Sequence, residues 1–231
     1  NGFGDKTNIF YSDNSFVSNS FDDYTDCKKK ASSPGQPTIY SSLNTEKMSL
    51  NGFNTSAMGT SVPFGIDHGT DGNFELAFEG MSDFAPNTTI YVEDKQLGVY
   101  HNVANGNYVY TALTADNSDR FELHFVLPVQ LATTNVDCQG NLGSISLEST
   151  IGFTDREFIL SNGTELVSSN DLINLNEQVA AGTYTLNVND VFGGNQSYNV
   201  EITEDDAIVA DMDVSSLNVE VGEVVNFNSL T

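Results

Sequence analysis

The sequence has few basic residues: 8 Lys and Arg stand against 32 Asp and Glu, which gives a formal net charge of −24. A conventional nucleic-acid binder is excluded, because phosphate contacts require clustered Lys and Arg. The same balance argues against docking on anionic lipid. Disorder does not follow, because 39% of the residues are hydrophobic and 15 Phe and 9 Tyr are among them. That content is sufficient for a folded core.

Long hydrophobic runs and cysteines are also scarce. No run approaches the roughly 20 residues of a membrane-spanning helix, so no membrane insertion is expected. Cys27 and Cys138 are too few for a disulfide scaffold. They could form one bridge in an oxidising compartment or remain two buried thiols. A disulfide between them would close a loop of about 111 residues. In the chain-entropy model, closing such a loop stabilises the folded state by roughly 4–5 kcal/mol.

Polar and apolar residues alternate with a period of two in most apolar segments. Clear cases are residues 73–79, 120–125, 183–188 and 198–202. This alternation predicts strands that turn one row of side chains to a core and the other to water. Short segments rich in Gly and Asn separate the strands and fit hairpin loops. Because no convincing long amphipathic helix is present, we predict an all-β fold of tandem antiparallel β-sandwiches.

The composition changes near residue 131. The part before it holds most of the aromatic residues, and Arg156 is the only basic residue after it. We therefore predict one β-sandwich module over residues 1–131 and a second over 132–205. Residues 206–231 contain about two strands' worth of sequence, too little for an independent unit. They are predicted to open a further domain or to pack on their neighbour. Because the chain begins with Asn rather than Met, we expect a processed or excised piece of a longer protein.

Six motifs of the first module carry a family resemblance. They are FDDYTDCK at 21–28, PTIYS at 37–41, LNGF at 50–53, TIYVED at 89–94, YVYTA at 108–112 and DRFELHF at 119–125. Their order and spacing resemble a β-sandwich module of large secreted surface proteins of the Bacteroidota, which are cargo of the type IX secretion system. On this basis we expect a jelly-roll-like first module.

The second part of the chain resembles a different repeat. VDCQGNLGSI at 136–145, AGTYTLNVND at 181–190 and VEI at 200–202 look like the short repeats of giant gliding-motility adhesins. Residues 210–231 are similar to the opening strands of an immunoglobulin-like repeat of the polycystic-kidney-disease type. We accordingly expect an Ig-like second module and the start of a further one.

Together the resemblances imply a surface-exposed, multi-module protein that is extracellular or bound at the cell surface. Such proteins act in cell adhesion and gliding motility, or carry these modules as stalks beside a catalytic domain. The implied partners are neighbouring modules of the same protein, and surface glycans or other surface proteins. The function we predict is therefore a non-catalytic structural and adhesive segment.

The residues themselves carry no recognisable catalytic pattern. A Gly-x-Ser-x-Gly elbow does not occur, and the three His share no metal-ligand spacing. His124 alternates with Arg120 and Glu122 on the polar row of its strand, which predicts an ion pair on that face. We expect no enzymatic activity.

A glycan-binding accessory module attached to a secreted hydrolase is the alternative. Sugar platforms commonly use Trp, which this chain lacks. Tyr91, Tyr100, Tyr108 and Tyr110 could replace it if they faced outward. Their positions in the strands favour core or cross-strand packing for most of them.

Two acidic groups predict calcium sites. One contains Asp22, Asp23 and Asp26, and the other contains Asp67, Asp71 and Asn73. Calcium takes six to eight oxygen ligands and tolerates loop geometry, and a cation would relieve the self-repulsion of a chain this acidic. The alternative is that these are solvated turn residues whose side chains accept hydrogen bonds from nearby backbone N–H groups.

Overall fold

The computed structural model describes residues 4–148, 156–169, 176–205, 212–214, 218, 220–222, 224–225 and 227–229. Within these residues the chain is all-β, with three short 3₁₀ turns and no α-helix. Nearly all strand pairs are antiparallel, so the predicted all-β class is confirmed and the sheets are consistent with β-sandwich modules. None of the described residues forms a helix with the length and apolar character needed to cross a bilayer.

Ten strands build the first sandwich. They are β1 (Asn8–Ser12), β2 (Cys27–Lys28), β3 (Thr38–Leu43), β4 (Glu46–Asn54), β5 (Val62–Asp67), β6 (Gly72–Leu76), β7 (Thr89–Asp94), β8 (Val99–Asn102), β9 (Tyr108–Ala112) and β10 (Phe121–Val126). The large sheet has the order β1-β4-β3-β5-β10-β7-β8, and β2 also pairs with β4. The small sheet consists of β6 and β9. Strand β1 pairs with β4 in parallel.

Alternate side chains of the large sheet form two apolar clusters. The first contains Phe64, Ile66, Leu76, Val92, Tyr110, Ala112 and Phe121, which come from both sheets and join them. The second contains Val62, Ile90, Val103 and Phe125, with Ile9, Tyr11, Phe53, Phe78, Phe84 and Leu123 packed on it. Burial of such side chains contributes about 1.5–3 kcal/mol each, so the alternation seen in the sequence is what holds the two layers together.

A buried ion pair connects the two sheets at one end. The Arg120 guanidinium binds both carboxylate oxygens of Asp94, and each side chain is only 1% exposed. Arg120 also donates to the carbonyl of Thr111 on β9, while the Tyr108 hydroxyl donates to Asp94 over 2.9 Å. The prediction that Arg120 shares the polar row of His124 is wrong. Arg120 precedes β10, where the alternation has not yet begun, and its charge is satisfied internally.

Seven strands build the second sandwich, and two more follow it. They are β11 (Leu131–Thr134), β12 (Gly143–Leu147), β13 (Arg156–Ser161), β14 (Glu165–Ser169), β15 (Asn176–Val179), β16 (Gly182–Asp190), β17 (Asn195–Ile202), β18 (Met212–Val214) and β19 (Phe227–Ser229). One sheet has the order β11-β12-β15 and the other β14-β13-β16-β17, while β18 pairs with β19. Their shared core includes Ile145, Phe158, Leu160, Leu186 and Ile202, all nearly inaccessible.

Candidate functional site: the junction between the two sandwiches

Three aromatic side chains form a cup on the outer face of the large sheet. Tyr91 on β7 lies directly opposite His124 on β10, and Tyr100 comes from the neighbouring strand β8. Tyr91 is 5% exposed and Tyr100 is 44% exposed. The three adjacent strands therefore place rings side by side on a face that alternation alone assigns to solvent.

Glu93 on β7 is the polar partner of two side chains of the cup. The His124 Nε2 atom lies 2.8 Å from a carboxylate oxygen of Glu93, a cross-strand contact on the face where an ion pair is predicted. The Tyr100 hydroxyl donates to the other Glu93 oxygen over 3.3 Å. Glu93 therefore orients two members of the cup.

Phe192 of the second sandwich fills the cup. It lies in the turn between β16 and β17, and its ring centroid is 4.7 Å from that of His124, 5.0 Å from that of Tyr100 and 5.1 Å from that of Tyr91. All three contacts are tilted, a geometry compatible with the quadrupoles of the rings. The aromatic contact thus joins the two sandwiches directly.

Asp190 holds the turn that presents Phe192. One carboxylate oxygen accepts from the backbone N–H of Phe192 over 2.9 Å and of Gly194 over 2.8 Å. An Asp side chain commonly stabilises a turn in this way. Gly193 has φ +90°, a conformation that a residue with a β-carbon rarely adopts. The Asp-x-x-Gly-Gly order of the sequence therefore specifies a turn with Phe192 at its tip.

Gly194 allows the two sandwiches to approach each other. A β-carbon at this position would collide with the Tyr91 hydroxyl and with the Asp190 carboxylate. Burial first, and then the negative charge of Asp190, raise the pKa of Tyr91, so this hydroxyl stays protonated and able to donate.

The connector between the sandwiches, residues 127–130, is bound rather than free. Arg156 donates to the carbonyl of Leu127 over 2.8 Å, and the N–H of Val129 donates to the Tyr198 hydroxyl over 2.8 Å. Val129 itself belongs to the second core. A direct bond across the junction joins the Gln196 side-chain amide to the Asn87 carbonyl over 3.2 Å. The connector and the aromatic cup therefore restrain the same joint.

The buried cation beside the connector is Arg156. It is 3% exposed, lies opposite Asp190 in the ladder of β13 and β16, and its pKa is lowered by burial, with Asp190 acting in the opposite direction. A buried guanidinium orders a backbone carbonyl strongly because a charge-assisted hydrogen bond is about twice as strong as a neutral one. It thus fixes the start of the connector.

The carboxylates of the first predicted calcium group accept hydrogen bonds from their own loop and from β4. One Asp22 oxygen accepts from the N–H of Ser18 over 2.7 Å, and the two Asp26 oxygens accept from the N–H groups of Asp22 and Gly52. Asp23 is exposed. These contacts match the alternative role of Asx side chains in turns.

The second predicted calcium group is divided among three different partners. Asp67 binds the Lys47 ammonium, Asp71 accepts from Thr114, and Asn73 accepts from the Thr111 hydroxyl. Across the described residues no three His, Cys, Asp or Glu side chains are grouped to hold a metal ion. Calcium binding remains a prediction.

The two cysteines lie in different sandwiches, Cys27 on β2 and Cys138 in the turn before β12. Both are exposed free thiols, so the structure forms no bridge between them. Exposure also corrects the alternative of two buried thiols. Cys27 is exposed because β2 is a two-residue strand on the rim of the large sheet.

The four tyrosines considered for sugar binding face inward or into the junction. Tyr91 and Tyr110 are buried, Tyr108 stacks on Tyr110 at 5.8 Å, and Tyr100 contacts Phe192. Different aromatic residues are exposed: Phe16 by 70%, and Tyr24 by 92%. They line a shallow groove of about 530 Å³ with Ser12, Asn14 and Thr25.

Sequence analysis did not identify Phe192 or the role of its turn. An apolar residue beside Gly193 and Gly194, at the tip of a hairpin, was the available signal. Such a side chain has no core of its own within the hairpin, so it needs a partner elsewhere.

The comparisons with known proteins concern mainly the first sandwich. No curated protein and no solved structure matches the chain. A family model described as Domain of unknown function (DUF8693) matches residues 2–125, which include the three rings of the cup but not the Phe192 turn. Since that match spans more than half of the 231 residues, the chain belongs to the DUF8693 family.

Proposed function

We propose that this chain is a non-catalytic structural and adhesive segment of a multi-module, secreted cell-surface protein. The observation that supports the proposal most directly is Phe192 of the second sandwich held in the cup of Tyr91, Tyr100 and His124. A stalk must keep its modules in a fixed orientation in order to hold a binding surface away from the cell.

The interaction energies at the junction favour a rigid joint between the two sandwiches. Each Phe–Tyr ring pair contributes about 0.5–1.5 kcal/mol beyond area burial, and the cup provides two such pairs beside the contact of Phe192 with His124. The bonds of Arg156 to Leu127 and of Gln196 to Asn87 act in parallel with them. Together these contacts favour one orientation of the two sandwiches over the others.

Charge supports the same role. A net charge of −24 keeps tandem modules apart from one another and from anionic surfaces unless a specific contact forms. General repulsion prevents the modules from packing on one another nonspecifically, and specific contacts join them only at defined points. Such a segment is suited to an extended array of modules. Neighbouring modules of the same protein are the first partners of this proposal.

Replacing Phe192 tests the mechanical part. Phe192→Ala is expected to leave both sandwiches folded while the particle becomes more flexible and its radius of gyration rises in small-angle scattering. Val191→Ala is the matched control, because Val191 is 60% exposed in the same turn. Identical scattering from both variants and the unaltered chain would remove the stalk proposal.

The cellular part is tested on the producing cells. Brief protease treatment of intact cells is expected to release fragments that react with an antibody to this chain, because the segment lies outside the cell. If the antigen is degraded only after lysis, the surface location is wrong. Cells that express Phe192→Ala should still display the segment but should attach less firmly under flow.

A second candidate is glycan binding, favoured by the exposed rings of Phe16 and Tyr24. Flat aromatic faces beside the polar side chains of Ser12 and Asn14 suit a sugar ring, which has both apolar and polar edges. A glycan array is expected to show a signal that Phe16→Ala and Tyr24→Ala abolish. Leu113→Ala, which removes another exposed apolar side chain, should leave it. A silent array would leave the structural role as the sole proposal.

A further inference from the structure

An apolar groove of about 510 Å³ opens in the first sandwich, away from the junction. Two continuous runs line it, residues 7–11 and residues 76–81, and its floor includes Ile90, Leu123 and Phe125. Four of these residues, 8–11, are consecutive in β1. Consecutive residues of one strand can line a groove only if the groove runs along the edge of that strand, because their side chains point alternately to opposite faces. The edge in question belongs to β1.

The backbone along this groove lacks partners. Within the part of the chain that the structure describes, β1 pairs with β4 alone. Residues 77–79 continue from β6, and no backbone hydrogen bond joins them to any other described residue. A free strand edge presents N–H and C=O groups to which another strand can pair. Both runs that line the groove therefore provide unpaired main chain next to apolar side chains.

The charge around the groove has one sign. Glu79 and Asp83 line it, and none of the described lining residues is Lys, Arg or His. The whole chain is strongly acidic as well. A second copy of this chain would bring the same charge and is disfavoured, whereas a segment with basic residues is attracted.

We propose that this groove binds an extended peptide segment of a partner protein, which pairs with the free edge of β1, places apolar side chains in the groove at every second position, and carries Lys or Arg between them. Main-chain pairing provides affinity in this mode, and pockets for alternate side chains provide selectivity. The proposal goes beyond the stalk function and does not depend on the junction, because the groove and Phe192 lie on different parts of the molecule.

The test uses a labelled short peptide of alternating Val and Lys with blocked termini. Fluorescence anisotropy is expected to show saturable binding to the full chain that weakens as salt is raised. Hydrogen exchange should slow at the amides of β1 and of residues 77–79, and not at those of β17, the edge strand of the second sandwich. No saturable binding, or protection at β17 alone, would overturn the proposal.

Two peptide controls distinguish main-chain pairing from nonspecific binding. A peptide of the same composition with N-methylated residues at alternate positions retains charge and side chains but cannot pair on both edges, and it should not bind. A peptide with Glu in place of Lys should bind weakly. Equal binding of either control would contradict the proposed mode.

Two variants in the groove, each with a control variant outside it, locate the site. Ala77→Trp fills the groove from an exposed position, and it should weaken peptide binding by about tenfold or more, the cost of losing a well-packed contact. Ala115→Trp adds the same side chain at an exposed turn outside the groove and should have no effect. Glu79→Lys should weaken binding of the Lys peptide and improve that of the Glu peptide, while Glu148→Lys in the second sandwich should do neither. Equal effects of the site and control variants would refute the location.

Discussion

Gly194 of the second sandwich packs so closely on the Tyr91 hydroxyl of the first that no β-carbon fits between them. Gly194→Ala must therefore displace the Asp190 carboxylate that holds the turn, together with Tyr91 or the turn that carries Phe192. Tyr91 is 5% exposed and has little freedom to move, so we expect the turn to lift from the cup. Residual dipolar couplings should report a changed or broadened orientation of the two sandwiches, with the fold of each preserved.

Gly4→Ala is the matched control for this substitution, since no atom of the described residues lies within 4 Å of the added methyl group there. The control should retain the original orientation. If Gly194→Ala retained it too, the close approach would not determine the joint.

Breaking the buried pair of Arg120 and Asp94 is expected to destabilise the first sandwich strongly. Asp94→Asn removes the carboxylate that binds the buried guanidinium at two points and leaves Asp116, 3.5 Å away, as its counter-charge. Removing one partner of a buried pair costs about 3–5 kcal/mol. Urea unfolding should show this loss. Glu46→Gln, which breaks the exposed pair with Lys28 (side chains 52% and 56% exposed), should cost no more than about 1 kcal/mol. Similar losses for both variants would contradict the assignment.

Acid should weaken the first sandwich through His68. Burial, and then the nearby charge of Arg120, lower the pKa of His68 from its ordinary value. The unfolded chain therefore binds a proton, near pH 6.5 and below, that the folded chain does not, and stability falls as pH drops through that range.

Unfolding midpoints measured at about pH 7.5 and about pH 5.5, on either side of the ordinary His pKa, check this dependence. His68→Gln should flatten it by removing the titrating ring. Tyr110→Phe should preserve it, because that variant removes only the hydroxyl 3.0 Å from His68 Nε2. An unchanged slope in His68→Gln would assign the dependence to other groups.

Tyr11 offers a stabilising substitution. Its hydroxyl is buried without a hydrogen-bond partner in the described structure, and burial raises its pKa far above the ordinary value. Tyr11→Phe removes the unsatisfied group and should raise the free energy of unfolding by about 1 kcal/mol. Tyr108→Phe removes a hydroxyl that donates to Asp94 and should lower it by about 1.5–3 kcal/mol. A destabilising Tyr11→Phe would mean that its hydroxyl has a partner after all.

Calcium should raise the melting temperature if the loop of Asp22, Asp23 and Asp26 holds the ion. A ligand at about a hundred times its Kd adds about 2.7 kcal/mol to the folded state, and sites of extracellular modules bind in the range of about 0.1–1 mM. Melting with calcium and then with chelator measures the shift. The Asp→Asn variant of all three positions should lose it, and no shift in the original chain discards the site.

The local alternation of polar and apolar residues was sufficient to predict most strands. Residues 120–125 and 183–188 correspond to β10 and β16, because a single buried face requires every second side chain to be apolar whatever the partner strand is. The run at 73–79 was less accurate, since β6 ends at Leu76. Beyond that residue the pattern continues without a partner strand to pair with.

Positions of charged side chains were harder to predict. His124 forms the expected contact, but its partner Glu93 lies 31 residues away on another strand. The acidic residues of the supposed calcium groups accept hydrogen bonds from their own loops or from distant strands. Spacing along the chain shows only which oxygen-bearing side chains are near one another in sequence. A metal site requires that their oxygen atoms point toward one position in space.

The amino-acid order alone determined that this chain consists of strands. The period of polar and apolar residues is a local property, and it does not depend on how the sheets are arranged. Tertiary structure decided what those strands present to their surroundings. Only the packing of one sandwich on the other places Phe192 in its aromatic cup, and only the strand order leaves β1 with a free edge beside an apolar groove. Both depend on contacts between residues far apart in sequence, which no local period encodes.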